Sequence, residues 1–297
     1  MKSITPQLLI RSAILLTAWL AFFVPLKSLP ETVWNSDTHK AKLAGDVKHV
    51  VEELYTQETP NTRIVTTRTF DKNGNLLERG TALVYKDASK KNSAQRTVLT
   101  RNISGQITHV NAYQDDGSLF LTEVNTYDTQ GNLTEKVSQR PNTSVKETWA
   151  YTYDRSGNKV EEQYSVGGVL RTRSAFDYNR RGKLIKSVSY RPDGSIEYSA
   201  IDKYDDQSHL IEIDVYGPIG FEESRRVYKY NEKGLLAEGL LYNASNSLEE
   251  RNVCEYEFDR VGNWVKQTDS KWVVNSGKLQ REFTQITQRT ISYYTER

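Results

Sequence analysis

The sequence has one cysteine, Cys254, and its 40 basic and 38 acidic residues nearly cancel. A single cysteine excludes an internal disulfide, so packing and backbone hydrogen bonds must hold the fold even in an oxidising compartment. A formal net charge of +2 provides no concentrated basic face, which argues against a nucleic-acid-binding protein. The abundance of tyrosine, 18 residues in 297, together with many Thr, Ser and Val, favours strands over helices.

Long apolar runs are confined to the beginning of the chain. Lys2 and Arg11 accompany an apolar run from Ile14 to Leu26, which is shorter than the roughly 20 residues that a spanning helix needs. This order predicts a secretory signal peptide over residues 1–30, and an uncleaved N-terminal anchor is the alternative. No lipobox cysteine follows the run. In either case we expect the protein to be exported, to the periplasm, the cell surface or the medium.

Familiar catalytic and metal-binding patterns are missing. The four histidines, at positions 39, 49, 109 and 209, have no metal-ligand spacing. No Gly-x-Ser-x-Gly elbow and no dinucleotide fingerprint is found, and Cys254 has no histidine nearby in sequence. We therefore predict no catalytic residue, no metal and no cofactor, and a protein that is not an enzyme.

A tandem repeat of the pattern aromatic-x-x-x-Gly-x-apolar dominates the remaining chain. Its glycine position falls at residues 168, 208 (Ser), 246 (Asn) and 277, and at Gly74, Gly105, Gly117, Gly131, Gly157, Gly182, Gly194, Gly220, Gly234 and Gly262. Twelve of these fourteen positions are glycine, and twelve of the residues four places earlier are aromatic. From Tyr153 to Tyr242 the spacing alternates between 11–12 and 14 residues, giving a double unit of 25 to 26.

The chemistry of each unit predicts a β-hairpin. In the segment from Tyr127 to Leu133, Asp128 can accept a hydrogen bond from the backbone two residues later. Gly131 can adopt positive φ at the end of a type I turn, as in a hairpin with a glycine bulge. We expect the aromatic residue before each turn to face the apolar residue after it. We regard the turn aspartates as turn-capping residues, with calcium ligation as the weaker alternative.

These units predict an all-β protein whose tandem antiparallel hairpins form a long, curled or spiralling meander sheet. The predicted organisation is a signal peptide or anchor over 1–30, a linker over 31–42 and the β-repeat domain over 43–297. Residues 85–96 are polar and predict a longer loop. Residues 43–55 have apolar side chains near helical spacing, so their local pattern leaves a helix and a strand equally open.

The motifs YDTQGNL, YDRSGNK, YNRRGKL, YNEKGLL and FDRVGNW resemble the YD repeats of the RHS superfamily, over roughly residues 43 to 295. The resemblance is to short exported bacterial proteins made of the repeats alone, and it implies strands at residues 43–55 and 287–294. Large RHS and teneurin-type proteins form hollow shells around cargo. We do not expect encapsulation or self-cleavage here, because the chain is short and lacks a toxin domain and the aspartate-rich cleavage motif.

The function that these observations favour is a non-catalytic binding or structural scaffold at the envelope or outside the cell. The first alternative is a carbohydrate-binding module that uses exposed Tyr and Trp side chains. A hydrolase with paired carboxylates is the least favoured. The candidate partners are cell-surface glycans or envelope proteins, with membrane contact only through residues 1–30 if these are retained. The tyrosines are expected to pack, so the predicted ligand-binding residues are Trp149, Trp264 and Trp272.

Overall fold

The computed structural model describes residues 43–57, 59 and 61–294, and it contains no helix within these ranges. The signal peptide or anchor and the linker predicted before residue 43 lie outside the described residues. The strands are β1 Val47–Thr56, β2 Thr62–Phe70, β3 Leu76–Tyr85, β4 Ser93–Arg101, β5 Ile107–Gln114, β6 Leu119–Tyr127, β7 Leu133–Gln139, β8 Lys146–Tyr153, β9 Lys159–Val166, β10 Val169–Tyr178, β11 Leu184–Tyr190, β12 Ile196–Tyr204, β13 Leu210–Tyr216, β14 Glu222–Tyr230, β15 Leu236–Asn243, β16 Leu248–Phe258, β17 Trp264–Asn275 and β18 Lys278–Tyr293.

The chain divides into two compact units. Unit 1 consists of Met1–Arg96, Tyr256–Gln267 and Gln285–Arg297, and unit 2 of Thr97–Glu255 and Thr268–Thr284. Within unit 2, each strand from β5 to β16 pairs antiparallel with the next. The predicted all-β meander of antiparallel hairpins is therefore confirmed.

Unit 1 joins the first strand to the last. β1 pairs with β2 on one side and with β18 on the other, so that Glu52 lies opposite both Thr66 and Arg289. All 18 strands belong to one sheet, so its order of pairing closes on itself in the topology of a β-barrel. The prediction of a curled or spiralling sheet was wrong on this point. Two free edges would expose unpaired backbone groups, and pairing β1 with β18 satisfies them.

Asp128 and Gly131 illustrate the turn that recurs between strands. The Gly131 N–H donates to the Asp128 carbonyl (3.1 Å), and the Asp128 N–H donates to the Asn132 carbonyl (2.9 Å). Asp128 Oδ1 accepts from the N–H groups of Gln130 (2.9 Å) and Asn132 (2.8 Å). Gly131 has a φ of 90°. These contacts satisfy the polar groups of the turn internally, as the hairpin with a glycine bulge requires.

Two hairpins of the repeat alignment use a two-residue turn instead. β9 and β10 are joined by Gly167 and Gly168, whose φ values are 58° and 80°, and β17 and β18 by Ser276 and Gly277, at 50° and 75°. Two successive positive φ angles in a two-residue loop are those of a type I′ turn. The sequence alignment placed Gly168 and Gly277 in the common repeat because the spacing of their neighbours resembles it, although the turn is different.

The aromatic residue before each common turn pairs with the residue after it, as predicted. Tyr127 pairs with Leu133, Tyr178 with Leu184 and Tyr204 with Leu210, each across a bulge. Such a pair contributes about 0.2–1 kcal/mol relative to alanines. Because the pair recurs at many turns, its sum makes a substantial contribution to the stability of the sheet.

Strand pairing settles the structure of residues 43–55 and 287–294. The segment that could have been a helix forms β1, and the terminal segment over residues 287–294 lies mostly in β18. The strand implied by the resemblance is thus confirmed at both ends. The long polar loop is shorter than predicted, since β3 reaches Tyr85 and β4 begins at Ser93.

Unit 1 buries two small apolar clusters on one face of its sheet. The first contains Leu43, Val47, Val50 and Phe70, with Ile291 and Tyr293 packed against it. The second contains Ile64 and Leu83, with Leu54 and Tyr85 beside them. Among the described residues, no helix has the length and hydropathy required to cross a membrane.

Candidate functional site

Strand alternation divides the side chains of unit 2 between two faces. We call the first the tyrosine face, because Tyr127, Tyr153, Tyr178, Tyr204 and Tyr230 lie on it. These tyrosines end alternate strands, at the same set of turns. Four of their hydroxyls each donate a hydrogen bond to a main-chain carbonyl, at 2.7–2.9 Å. The acceptors belong to Ile107, Leu133, Lys159 and Leu210. Their hydroxyls are engaged in holding hairpins together, which supports packing as their role.

An aromatic and charged cluster occupies the tyrosine face on β6–β9. Lys136, Trp149 and Tyr164 lie directly opposite one another on three successive strands. Lys136 Nζ is 4.2 Å from the Trp149 ring centroid, and the Trp149 and Tyr164 rings stack at 4.9 Å. The Tyr164 hydroxyl donates to Glu147 Oε2 at 3.0 Å. Burial and then this bond to a carboxylate raise the pKa of Tyr164.

Lys159 stands at a repeat position that is usually apolar. Its Nζ lies 2.7 Å from Glu162 Oε2, and both side chains are mostly buried, at 15% and 11% exposure. The same ammonium is 5.1 Å from the Tyr151 ring centroid and 5.0 Å from that of Phe176. The aromatic rings and the carboxylate compensate for burying this cation.

Asp202 is a half-buried carboxyl on the tyrosine face of β12. Burial raises the pKa of Asp202 to about 6. The negative charge of Asp202 in turn helps to raise the pKa of Tyr204 and of Tyr228, although burial is the larger cause for both tyrosines. A carboxyl with this pKa exchanges protons near neutral pH. No second carboxylate is paired with it in the described part of the chain, so the geometry does not assemble an acid–base pair.

The face opposite the tyrosines carries ion pairs on β12–β16. Lys203 lies 2.5 Å from Glu212 and 2.9 Å from Asp214. Glu238 is held between Lys229 and Arg251, both at 2.6 Å. The pKa of Glu238 is lowered, first by its hydrogen bond from Lys229. Charged residues thus occupy both faces of these strands, since Asp202 and Arg226 lie on the tyrosine face.

The three predicted ligand-binding tryptophans each have a cation near the ring. Trp149 has Lys136, Trp264 has the Arg289 guanidinium at 3.3 Å from its centroid, and Trp272 has that of Arg281 at 4.9 Å. Trp264 also meets Tyr256 edge-on at 6.2 Å. Trp264 belongs to unit 1 and the other two to unit 2. Each tryptophan has its own contacts, and ligand binding by the three stays a prediction.

His209 and Asp128 illustrate how residues considered from sequence have structural partners. His209 Nδ1 is 3.0 Å from Asp205 Oδ2, and its ring stacks on Tyr230 at 4.7 Å. Hydrogen bonding from the Asn132 side chain lowers the pKa of Asp128. Within the described residues no group of three His, Cys, Asp or Glu side chains could hold a metal ion. His39 lies outside them.

A cluster of arginines in unit 1 was missed by the sequence reasoning. We define the arginine cluster as Glu52, Arg68, Arg79 and Arg289. Glu52 Oε1 lies 2.6 Å from Arg68 Nη2 and 2.6 Å from Arg289 Nε. The sequence feature that could have pointed to it is a charged residue at an otherwise apolar position of an alternating strand, as Glu52 is between Val50 and Leu54. That pattern identifies each strand separately, and only the pairing of β1 with β18 brings Arg289 to Glu52.

The sequence matches no family model, and a comparison with curated proteins gives no match. Among solved structures, a porin-like protein from Bacteroides uniformis aligns with a TM-score of 0.51 and 11% identity, over 84% of this chain and 98% of that chain. At this identity the similarity concerns the fold alone. A Photorhabdus luminescens Tc holotoxin pore gives a TM-score of 0.33 at 11% identity, over 75% of this chain and 16% of that chain. A porin-like protein from Bacteroides vulgatus gives 0.25 at 12% identity, over 84% and 98%. The last two scores are too low to define a shared fold.

Proposed function

We propose that this protein is a non-catalytic β-repeat protein of the YD-repeat type, exported and acting as a binding or structural scaffold at the cell envelope or outside the cell. This proposal rests on one observation, that the reactive side chains make contacts which hold the fold together. The turn aspartates cap their own turns, the tyrosine hydroxyls join hairpins, and the acids on the face opposite the tyrosines pair with Lys and Arg.

The charged faces favour an aqueous location for the strands. A strand that spans a membrane presents an apolar side to lipid, and a charge there is costly. β12–β16 carry charges on both faces, with Lys203 and Glu238 on one and Asp202 and Arg226 on the other. The fold similarity to a porin-like protein therefore extends, in this proposal, to the sheet and not to pore formation.

Two measurements on the full chain test this proposal. Fractionation of producing cells is expected to place the protein outside the cytoplasm. A panel of chromogenic glycoside, ester and phosphate substrates is expected to show no turnover above that of buffer. Turnover that a single side-chain substitution abolishes would overturn the non-catalytic assignment, and retention in the cytoplasm would overturn export.

Carbohydrate binding is the second candidate, and the cluster of Lys136, Trp149, Tyr164 and Glu147 favours it. These partly exposed side chains combine two stacked rings with a cation and a carboxylate, a combination suited to sugar rings and their hydroxyls. On a glycan array, the full chain should then give a saturable signal that Trp149→Ala weakens. Phe221→Ala is the matched control, because Phe221 is an exposed aromatic residue at a turn. Equal loss in both variants would contradict a site at Trp149.

A further inference from the structure

The arginine cluster lies on one face of four neighbouring strands, β18, β1, β2 and β3, in unit 1. Arg68 on β2 is directly opposite Arg79 on β3, and Glu52 on β1 is directly opposite Arg289 on β18. Val50 pairs with Arg68 and precedes Glu52 by two residues, so all these side chains share a face. Apolar clusters around Phe70 and around Ile64 flank them along β2. The cluster is therefore a charged band between two apolar patches.

The cluster has an excess of positive charge. Two guanidinium groups share one carboxylate, because Glu52 Oε1 lies 2.6 Å from a nitrogen of both Arg68 and Arg289. Arg79 is near enough that its pKa is lowered by burial and then by the charge of Arg68. Guanidiniums repel each other when they are withdrawn from water. The single negative charge of Glu52 is shared by the two positive charges of Arg68 and Arg289, so this pair keeps an excess of positive charge.

Arg68 and Arg289 each carry a buried hydrogen-bond donor that has no acceptor among the described residues. The Arg289 side chain is only 7% exposed, and its Nη1 is buried without a hydrogen-bond partner. Arg68 Nε is also buried without a hydrogen-bond partner. The Arg289 guanidinium lies 3.3 Å from the Trp264 centroid, which fixes its position. Buried donors of this kind usually have a water or an ion as their partner.

We propose that the arginine cluster binds a small tetrahedral oxyanion of the phosphate or sulfate class. Such an ion offers several acceptor oxygens to the unsatisfied N–H groups of Arg68 and Arg289, and it balances the positive charge that Glu52 leaves on this pair. Guanidiniums bind these oxyanions through forked, charge-assisted hydrogen bonds. The low exposure of Arg289 limits the ligand to a small ion or to a phosphoryl group on a slender molecule. This inference is independent of the proposed scaffold function.

The test is a calorimetric titration of the full chain with inorganic phosphate, then with sulfate, at constant ionic strength set with chloride. We expect saturable binding of phosphate or sulfate. Arg68→Gln and Arg289→Gln should each weaken the binding about tenfold or more, the equivalent of one lost charge-assisted bond. Arg63→Gln is the matched control, because Arg63 pairs with Glu53 on the other face of the same two strands. It should leave the affinity unchanged.

Glu52→Gln distinguishes a binding site from a structural ion pair. It removes the negative charge that Arg68 and Arg289 share, so the site should bind phosphate more tightly in this variant. Arg68→Lys keeps the positive charge but lacks the forked donors of the guanidinium. It is the second variant to be tested if Arg68→Gln fails to fold. Glycerol phosphate should bind with similar affinity if the natural source is a phosphoryl group on a larger molecule, and more weakly if the source is the free ion. The proposal would be overturned if no saturable binding is seen. It would also be overturned if the Arg68 and Arg289 variants bind as tightly as the unchanged protein.

Discussion

The hydroxyl of Tyr153 donates a hydrogen bond of 2.8 Å to the main-chain carbonyl of Leu133, which begins the second strand of the preceding hairpin in the same set of turns. Leu133 in turn pairs with Tyr127, the tyrosine of that hairpin. Tyr127 makes the equivalent bond to Ile107 at 2.9 Å. Tyr127, Tyr178 and Tyr230 each pair with the leucine of their own hairpin and bond to the hairpin before it. Tyr153 makes the same bond, although its partner across the turn is Lys159. One residue type serves both purposes because it joins an apolar ring to a polar end.

Removing the Tyr153 hydroxyl should cost one hydrogen bond. We expect Tyr153→Phe to lower the free energy of unfolding by about 1 kcal/mol, since the ring still packs and only the Leu133 carbonyl loses its donor. Denaturant unfolding measures the change. Tyr190→Phe is the control, because the Tyr190 ring is held by Arg173 at 4.2 Å and its hydroxyl has no hydrogen bond within the described residues. Equal losses in the two variants would contradict a role for the hydroxyl.

Gly117 tests the requirement for positive φ at the turns. Its φ is 79°, and a β-carbon added there would meet no atom within 4 Å. Gly117→Ala therefore isolates backbone strain from steric contact, and we expect a loss of about 1–2 kcal/mol. Gly239→Ala is the control on β15, where an added β-carbon would lie 3.9 Å from Tyr228. A melting temperature that falls equally in both variants would show that turn conformation is not the cause.

The buried pair of Lys159 and Glu162 should behave as a unit. Lys159→Met leaves the Glu162 carboxylate buried without its partner, and we expect a loss of about 3 kcal/mol near neutral pH. Adding Glu162→Gln should restore most of that loss, because the double variant buries no charge. A double-mutant cycle in denaturant measures the coupling between the two residues.

Lys229→Met provides the comparison for this cycle. Lys229 pairs with Glu238 at 2.6 Å, but its side chain is 63% exposed, so the change should cost less than about 1 kcal/mol. A Lys159 variant that is no less stable than the Lys229 variant would mean that burial does not strengthen the Lys159 pair.

Asp202 should make the protein less stable as the pH rises. Its folded-state pKa, about 6, is above the ordinary value of 3.8, so folding favours the protonated carboxyl. This contribution is complete below about pH 4 and is lost as the pH rises through about 6. Asp202→Asn should therefore raise the melting temperature at about pH 7.5 and leave it nearly unchanged at about pH 3.5.

The gain from Asp202→Asn is at most about 3 kcal/mol, and less because water partly screens this carboxyl. Asp206→Asn, at an exposed position in the turn of the same hairpin, is the control. A gain at both pH values, or a gain in the control, would exclude a buried carboxyl as the cause.

Local chemistry in the sequence specified the hairpins and their turns. Asp128 and Gly131 predicted the bulged turn, and the pairing of Tyr178 with Leu184 followed from its geometry. Closure of the sheet could not be predicted in this way, because it depends on one pairing between strands more than 200 residues apart. Periodicity within the repeats contains no information about whether the first and last strands meet.

The candidate sites were predicted less well than the fold, for a related reason. Trp149 was identified by its exception to the repeat, but the positions of Lys136 and Tyr164 beside it depend on register across three strands. The arginine cluster depends on the contact of Glu52 with Arg289, which is set by the closing pair of strands. Residue type can be read from one strand, whereas a site requires the neighbours that pairing supplies.

The pairing of β1 with β18 also bears on the order of folding. Each hairpin closes a short loop, whereas the contact between Glu52 and Arg289 spans 237 residues. Its formation therefore carries the entropy cost of closing a very long loop. Hairpins should therefore form early and the closing pair last. When such a chain crosses a membrane from its N-terminus, β1 waits with an unsatisfied edge until β18 emerges. During that interval the nascent protein is most exposed to aggregation, and a chaperone that covers β1 would be of most use.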